Sequence, residues 1–253
     1  MSAPTSSRAA RRRAPAAPQL QLIRQTETLG ADADLQRALD LLHSTRDEGA
    51  GPMLRIYRPQ PTVAFGQRDA KLPGFDEAAR RCRALGFEPL VRRAGGRAAA
   101  YGPGSLVVDH IEPDSDPIRE SQDRFAAFGE LFADALQSAG LDAVMAPLPA
   151  EYCYGEHSVH GIHPEEADVR IKLVGTAQRQ VASGWLFSTS IVVEDGPAIR
   201  RVLAEVYDAL GLEWDPLTAG SADELNPELT VHGVEQAILE TYGTYWDFLE
   251  PTG

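Results

Sequence analysis

Runs with strand character arrive in clusters along this chain, and amphipathic helical runs lie only between the clusters. Met53–Tyr57 and Thr62–Phe65 are separated by the turn Arg58-Pro59-Gln60-Pro61. Pro89–Arg92, Arg97–Tyr101 and Leu106–Ile111 follow one another, and Val169–Val174 meets Trp185–Val193 through a turn near Ser183-Gly184. Neighbouring strands with short connections pair largely antiparallel, whereas strict strand–helix alternation would give a parallel sheet. The expected fold is therefore α+β, a mixed and largely antiparallel sheet flanked by helices. Gln19–Ile23 adds a first strand. Apolar residues at helical spacing mark Asp32–His43, Phe75–Leu85 ended by Gly86, Ser121–Ser138 closed by Gly140, Pro197–Leu210 and Val231–Tyr242. There is no internal repeat and no linker composition, so residues 19–253 are expected to form a single domain. Residues 1–18 are Ala, Pro, Ser and Arg, which cannot bury apolar surface, and read as a disordered tail.

Charge and cysteine usage narrow the function classes. The formal charge is -13, and the tail contributes Arg8, Arg11, Arg12 and Arg13 with no acid, leaving about -17 on the rest. Such a body repels phosphate backbones, so nucleic acid is not an expected partner. No apolar run approaches the roughly 18 residues of a membrane helix, and no secretory signal opens the chain. Cys82 and Cys153 do not make a disulfide framework, which fits a reducing cytoplasm.

Four features carry chemistry. The stretch from Arg92 to Gly104 includes Gly95-Gly96-Arg97-Ala98 and Tyr101-Gly102-Pro103-Gly104. It reads either as a hairpin turn with surface arginines or as a backbone approach to an anionic group. It lacks the Gly-Lys-Ser/Thr of a nucleotide P-loop and the third glycine of a dinucleotide fingerprint. Lys172 stands in a strand, although Lys71 and Lys172 are the only lysines among 24 basic residues. Alternation places Ile171 and Leu173 on one face and Arg170, Lys172 and Val174 on the other. A chain that otherwise uses arginine has a use here for a compact point charge. Cys153 sits in the loop Glu151-Tyr152-Cys153-Tyr154-Gly155-Glu156-His157-Ser158, where a thiol can serve as a nucleophile, while Cys82 in a helix reads as packing. His157, His160 and His163 form H-x-x-H-x-x-H. As a strand this spacing alternates faces, and nearby glycines and a proline read as a loop of solvated histidines rather than a metal site. His110 and His157 stay open as bases or as solvated side chains.

In order and spacing these segments resemble the lipoate–protein ligase and octanoyltransferase family. The resemblance lies in Arg92…Gly95-Gly96-Arg97-Ala98, in Lys172…Gly175-Thr176-Ala177-Gln178-Arg179, and in Pro61-Thr62-Val63-Ala64-Phe65-Gly66-Gln67. It extends over about residues 20–215 and implies a lipoate/biotin protein ligase-like catalytic domain. Cys153-Tyr154-Gly155-Glu156-His157-Ser158 is similar to the cysteine loop of the amidotransferase branch, with Tyr154 and Ser158 replacing that branch's proline and aspartate. The ligases generally lack the cysteine and use an accessory domain, for which this chain is expected to have no room. Tyr101 stands where ligases usually have histidine, and Arg97 where they have a third glycine. Biotin ligases show a Gly-Arg-Gly-Arg pattern that is absent here.

The resemblance implies octanoyl or lipoyl transfer through a Cys153 thioester, with Lys172 stabilising the tetrahedral intermediate and favouring the thiolate. Arg92, Gly95, Gly96, Arg97, Ala98, Tyr101, Gly175, Thr176, Ala177 and Gln178 would line the substrate site. Thr62–Phe65 and Trp185–Val193 would wall the acyl slot, and Arg92, Arg93 and Arg97 would supply a basic docking face. The implied partners are the glycine-cleavage H protein and lipoyl domains of 2-oxoacid dehydrogenases, and no cofactor is required. Two other readings stay open: an ATP- and Mg²⁺-dependent lipoate ligase acting through lipoyl-AMP, and a non-catalytic metal-binding or regulatory protein using Cys153 and the histidines.

Overall fold

The computed structural model of the chain describes residues 17–249. The expected tail lies outside this range except for Ala17 and Pro18. Eight strands form the main sheet: β1 (Gln19–Gln25), β2 (Met53–Tyr57), β6 (Ser105–Pro113), β7 (Ala143–Met145), β8 (Val159–Ile162), β9 (Arg170–Val181), β10 (Gly184–Val192) and β11 (Asp247–Leu249). Their order is β11-β1-β2-β6-β10-β9-β8-β7. β1 runs parallel to both β2 and β11, and the other pairs are antiparallel. A second sheet, β4-β3-β5, holds β3 (Thr62–Phe65), β4 (Glu88–Val91) and β5 (Ala99–Tyr101), with β3 parallel to β4 and antiparallel to β5. The fold is mixed α+β, as the clustered strands imply.

The helices are α1 (Ala31–Ser44), α2 (Phe75–Ala84), α3 (Ser121–Ser138), α4 (Gly196–Leu210) and α5 (Val231–Tyr242). Strand alternation decides what each covers. On β10, Trp185 and Phe187 join the core under α3 and α5, while Leu186 between them joins the cluster under α1. β6 follows the same rule: Val108 faces α3, and Ile111 packs with Leu41 and Leu42 of α1. α2 and α4 pack on the small sheet through Ala78, Cys82, Val202 and Val206. Each fully buried aliphatic or aromatic side chain of these clusters contributes about 1.5–3 kcal/mol.

Three short strands were not expected from the sequence: β7, β8 and β11. β8 corrects the loop reading of the histidines, since His160 pairs with Val144 on one side and Lys172 on the other and is fully buried. Burial and Arg170 hold its pKa below the usual histidine value, so it is neutral, with Nε2 3.2 Å from the Arg170 guanidinium. His110 is not solvated either: it stacks at 5.3 Å on Trp185, packs against Phe128, Tyr242 and Trp246, and pairs with Glu112. His163 accepts backbone N–H bonds from Glu165 and Glu166. The three spaced histidines therefore serve different local ends, and among the described residues no three His, Cys, Asp or Glu side chains gather as a metal site would require. The strand expected over Arg97–Tyr101 shortens to β5 because Arg97 N–H and Ala98 C=O bond to side chains outside the ladder.

Candidate active site

The glycine-rich stretch and the cysteine loop meet at the junction of the two sheets. Gly96 has φ +97°, and a Cβ there would lie 2.4 Å from the Arg92 guanidinium and 2.9 Å from Cys153 Sγ. Only glycine satisfies both conditions. The tight turn aims the Arg97 N–H at Cys153 Sγ at 3.2 Å, and the Arg92 guanidinium stands 3.6 Å from the same sulfur while donating to Arg97 O. From behind, fully buried Asp69 braces this loop, accepting from the Arg97 guanidinium and from Gly66 N–H, both at 2.9 Å. A side chain on Gly66 would collide with the Gly96 carbonyl.

Cys153 is half-buried and has φ +44°, a left-handed conformation that a non-glycine residue keeps only when its surroundings fix it. Here they do. Its N–H donates to the Tyr207 hydroxyl at 2.7 Å, and that hydroxyl donates to Ala98 O at 3.0 Å, tying the cysteine loop to the glycine-rich loop through α4. Burial pushes the Tyr207 pKa far up, so the phenol keeps its proton and can make both bonds. The Cys153 and Tyr152 carbonyls accept from Lys172 Nζ at 2.9 and 3.0 Å. Tyr207→Phe removes this tie and leaves the Cys153 N–H without its partner. The expected outcome is a loss of about 1–3 kcal/mol in stability, read from the urea midpoint.

Lys172 is 2% exposed and its ammonium lies 3.2 Å from Glu151 Oε2. Two carbonyls accept from the ammonium and the carboxylate faces it as an ion pair, an arrangement that suits a compact point charge better than a planar guanidinium. The other oxygen of Glu151 accepts from Gly155 N–H and the Ser158 hydroxyl, so one carboxylate gathers both ends of the cysteine loop. Cys82 differs sharply: it is fully buried in α2, and burial pushes its thiol up to about 12, which keeps it protonated and inert.

Two cavities adjoin here. One of about 490 Å³ is lined by Cys153, Lys172, Gly95, Gly96, Phe125, His157, Thr176 and Gln178. The other, about 250 Å³, lies between the α1 face of the main sheet and the small sheet, lined by Leu35, Leu39, Tyr57, Ala64, Tyr101, Val107 and Leu186. Arg92, Gly175, Ala177 and Ser190 line both. The structure thus brings Arg92, Gly95, Gly96, Gly175, Thr176, Ala177 and Gln178 to the cavity that holds Cys153 and Lys172. Tyr101 lines the second cavity instead, and Ala98 sits buried behind the loop as an acceptor for Tyr207. Gln178 is held by Arg124 and by the Ser121 carbonyl at the start of α3. Of the expected basic docking face only Arg93 is exposed, because Arg92 and Arg97 turn inward. Glu151, Asp69 and Tyr207 went unmarked in the sequence, and only the acid two places before a loop cysteine left any local signal.

The lipoyl protein ligase A/B catalytic domain family matches residues 33–243, which include every group just described. The chain belongs to that family. Curated relatives include an octanoyl-GcvH:protein N-octanoyltransferase of Exiguobacterium sp., 28% identical over 169 residues, covering 66% of this chain and 57% of that protein. Another of the same name from Geobacillus kaustophilus is 26% identical over 214 residues, 81% of this chain and 72% of the relative. The chain therefore spans little more than half the length of the first relative. Among solved structures, a bi-partite lipoate protein ligase from Thermoplasma acidophilum superposes with a TM-score of 0.65 at 18% identity, covering 93% of this chain and 86% of the other. At that identity the likeness shows the ligase-type fold alone. Among the described residues of this lipoyl ligase-family chain, no helix is long and apolar enough to cross a membrane.

Proposed function

We propose that this chain is an acyltransferase that moves an octanoyl or lipoyl group between protein lysines through a Cys153 thioester, as one catalytic domain over residues 19–253. The observation that carries the reading is the fixing of Cys153: its N–H, C=O and Sγ each meet a specific partner at the edge of a cavity that shares Arg92, Gly175, Ala177 and Ser190 with a second one, walled in part by Leu35, Leu39, Val107 and Leu186. An eight-carbon tail in the slot between α1 and the small sheet contributes several kcal/mol at about 0.8 kcal/mol per buried CH₂, before the costs of association. The acyl carbonyl then reaches Cys153 past Arg92 and Gly175. The sulfur attacks, and the developing oxyanion lies within reach of the donors that flank the sulfur, Arg97 N–H and the Arg92 guanidinium. Lys172 holds the Cys153 peptide in place through its carbonyl. The direct grip on the acyl oxygen expected of Lys172 passes to Arg92 and Arg97.

The names of the relatives support octanoyl as the group and the glycine-cleavage H protein as donor; the proposal adds lipoyl domains as acceptors and the cytoplasm as the setting. This route needs no cofactor, whereas lipoate activation would need ATP and Mg²⁺. The test is transfer from octanoylated H protein to an apo lipoyl domain, followed by the mass of the acceptor. Transfer without ATP supports the reading. Acceptor modification only from free acid, ATP and Mg²⁺ would assign the chain to ligase chemistry.

A further inference from the structure

Amide-to-amide transfer makes a demand that the thioester reading leaves unmet. Breaking the donor C–N bond expels an amine, and an amine leaves only with a proton supplied as the bond breaks. The acceptor amine must then lose a proton as it attacks. The titratable side chains at the Cys153 cavity are few. Arg68 and Arg92 stay charged throughout. Lys172 donates to the Tyr152 and Cys153 carbonyls and faces the Glu151 carboxylate, so its ammonium is already engaged. Tyr152 is buried and burial pushes its phenol far above its ordinary range, Tyr154 is 60% exposed, and Glu156 also faces solvent.

His157 is different. It is half-buried in the cavity wall, its ring lies nearly parallel to Phe125 at 6.3 Å, and among the described residues its ring nitrogens make no hydrogen bond. The Glu151 carboxylate draws Gly155 and Ser158 together, which places His157 on the same short loop and the same cavity as Cys153. Histidine is also the side chain whose ordinary range suits proton transfer in both directions near neutral pH.

We propose that His157 is a catalytic residue, the proton carrier of both half-reactions. It takes the Cys153 thiol proton as sulfur bonds to the acyl carbon, and returns it to the donor nitrogen as the C–N bond breaks. In the second half it takes a proton from the attacking acceptor amine and delivers it to Sγ as the C–S bond breaks. Atoms and charge balance in each half without a further reagent. The proposal rests on the thioester reading, and leaving-group dependence separates the two.

The experiment measures acylation of the full chain by intact mass from two donors, octanoylated H protein (an amide) and p-nitrophenyl octanoate, whose leaving group needs no proton. His157→Gln should slow loading from the amide about 100-fold more than loading from the ester, because the ester step loses only the help in removing the thiol proton while the amide step also loses the proton for the leaving amine. His157→Asn should repeat the pattern. Equal loading from the amide by wild type and variant, or an equal fall with both donors, would overturn the role of His157 and leave the thioester reading intact. The selective pattern from Glu156→Gln, and not from His157→Gln, would move the role to the carboxylate. No octanoyl adduct on wild type from either donor would overturn the thioester reading, and the proposal with it.

Discussion

Cys153→Ala should abolish transfer, with a fall on the order of 10⁴–10⁶ in kcat, while the thermal unfolding midpoint stays near that of wild type. The contrast follows from where the cysteine's contacts lie. Its N–H and C=O bonds to Tyr207 and Lys172 are backbone bonds that alanine keeps. Only the sulfur is lost, with its approach to Arg97 N–H and the Arg92 guanidinium. Activity of purified wild type and variant against an apo lipoyl domain, beside their melting curves, checks both halves of the statement. Substantial turnover by the variant would remove covalent catalysis from the account. Cys82 offers no substitute nucleophile, since it is buried in α2 with its pKa pushed up to about 12.

Arg55→Met should cost stability, not chemistry, by about 3–5 kcal/mol. Arg55 is fully buried on β2. Its guanidinium meets Asp34 Oδ1 at 2.8 Å, Asp109 Oδ2 at 3.0 Å, Gln25 Oε1 and the Asp34 carbonyl, and it lies 3.9 Å over the Tyr57 ring. The cluster joins β1, β2, β6 and α1, and its Asp109 lines the smaller cavity. Removing the cation leaves two carboxylates in the interior, 2% and 1% exposed, without a counter-charge. Burial already raises the Asp109 pKa, so in the variant that carboxyl takes up a proton more readily. Denaturant titration of the variant measures the loss. Adding Asp34→Asn and Asp109→Asn should recover part of it, and no recovery would locate the cost in packing and not in unpaired charge.

The parts of the fold legible in the sequence are those with strong local pattern. α3 and α4 show apolar spacing and end at glycines, and β10 carries the apolar run Trp185-Leu186-Phe187. β7, β8 and β11 span only three or four residues each, too short for a period to stand out, and β8 hid behind its histidines and glycine. The site divides the same way. Lys172 stood out because the chain otherwise spends arginine, and its surroundings of Glu151 and two carbonyls give the physical reason. Gly96 and Arg97 stood out as a turn. Tyr207 could not, because on α4 it reads as one more apolar-face residue, and its meaning comes from Cys153 and Ala98, far away in the chain. Asp69 is likewise explained only by Gly66 and Arg97.

The most direct test of the account is the intact mass of the purified chain after mixing with octanoylated H protein in the absence of ATP. The account predicts one octanoyl adduct on wild type, released by hydroxylamine and transferred onward when apo lipoyl domain is added, and no adduct on Cys153→Ala. An unmodified wild-type chain that nonetheless modifies the acceptor, or an adduct that persists on Cys153→Ala, would contradict it.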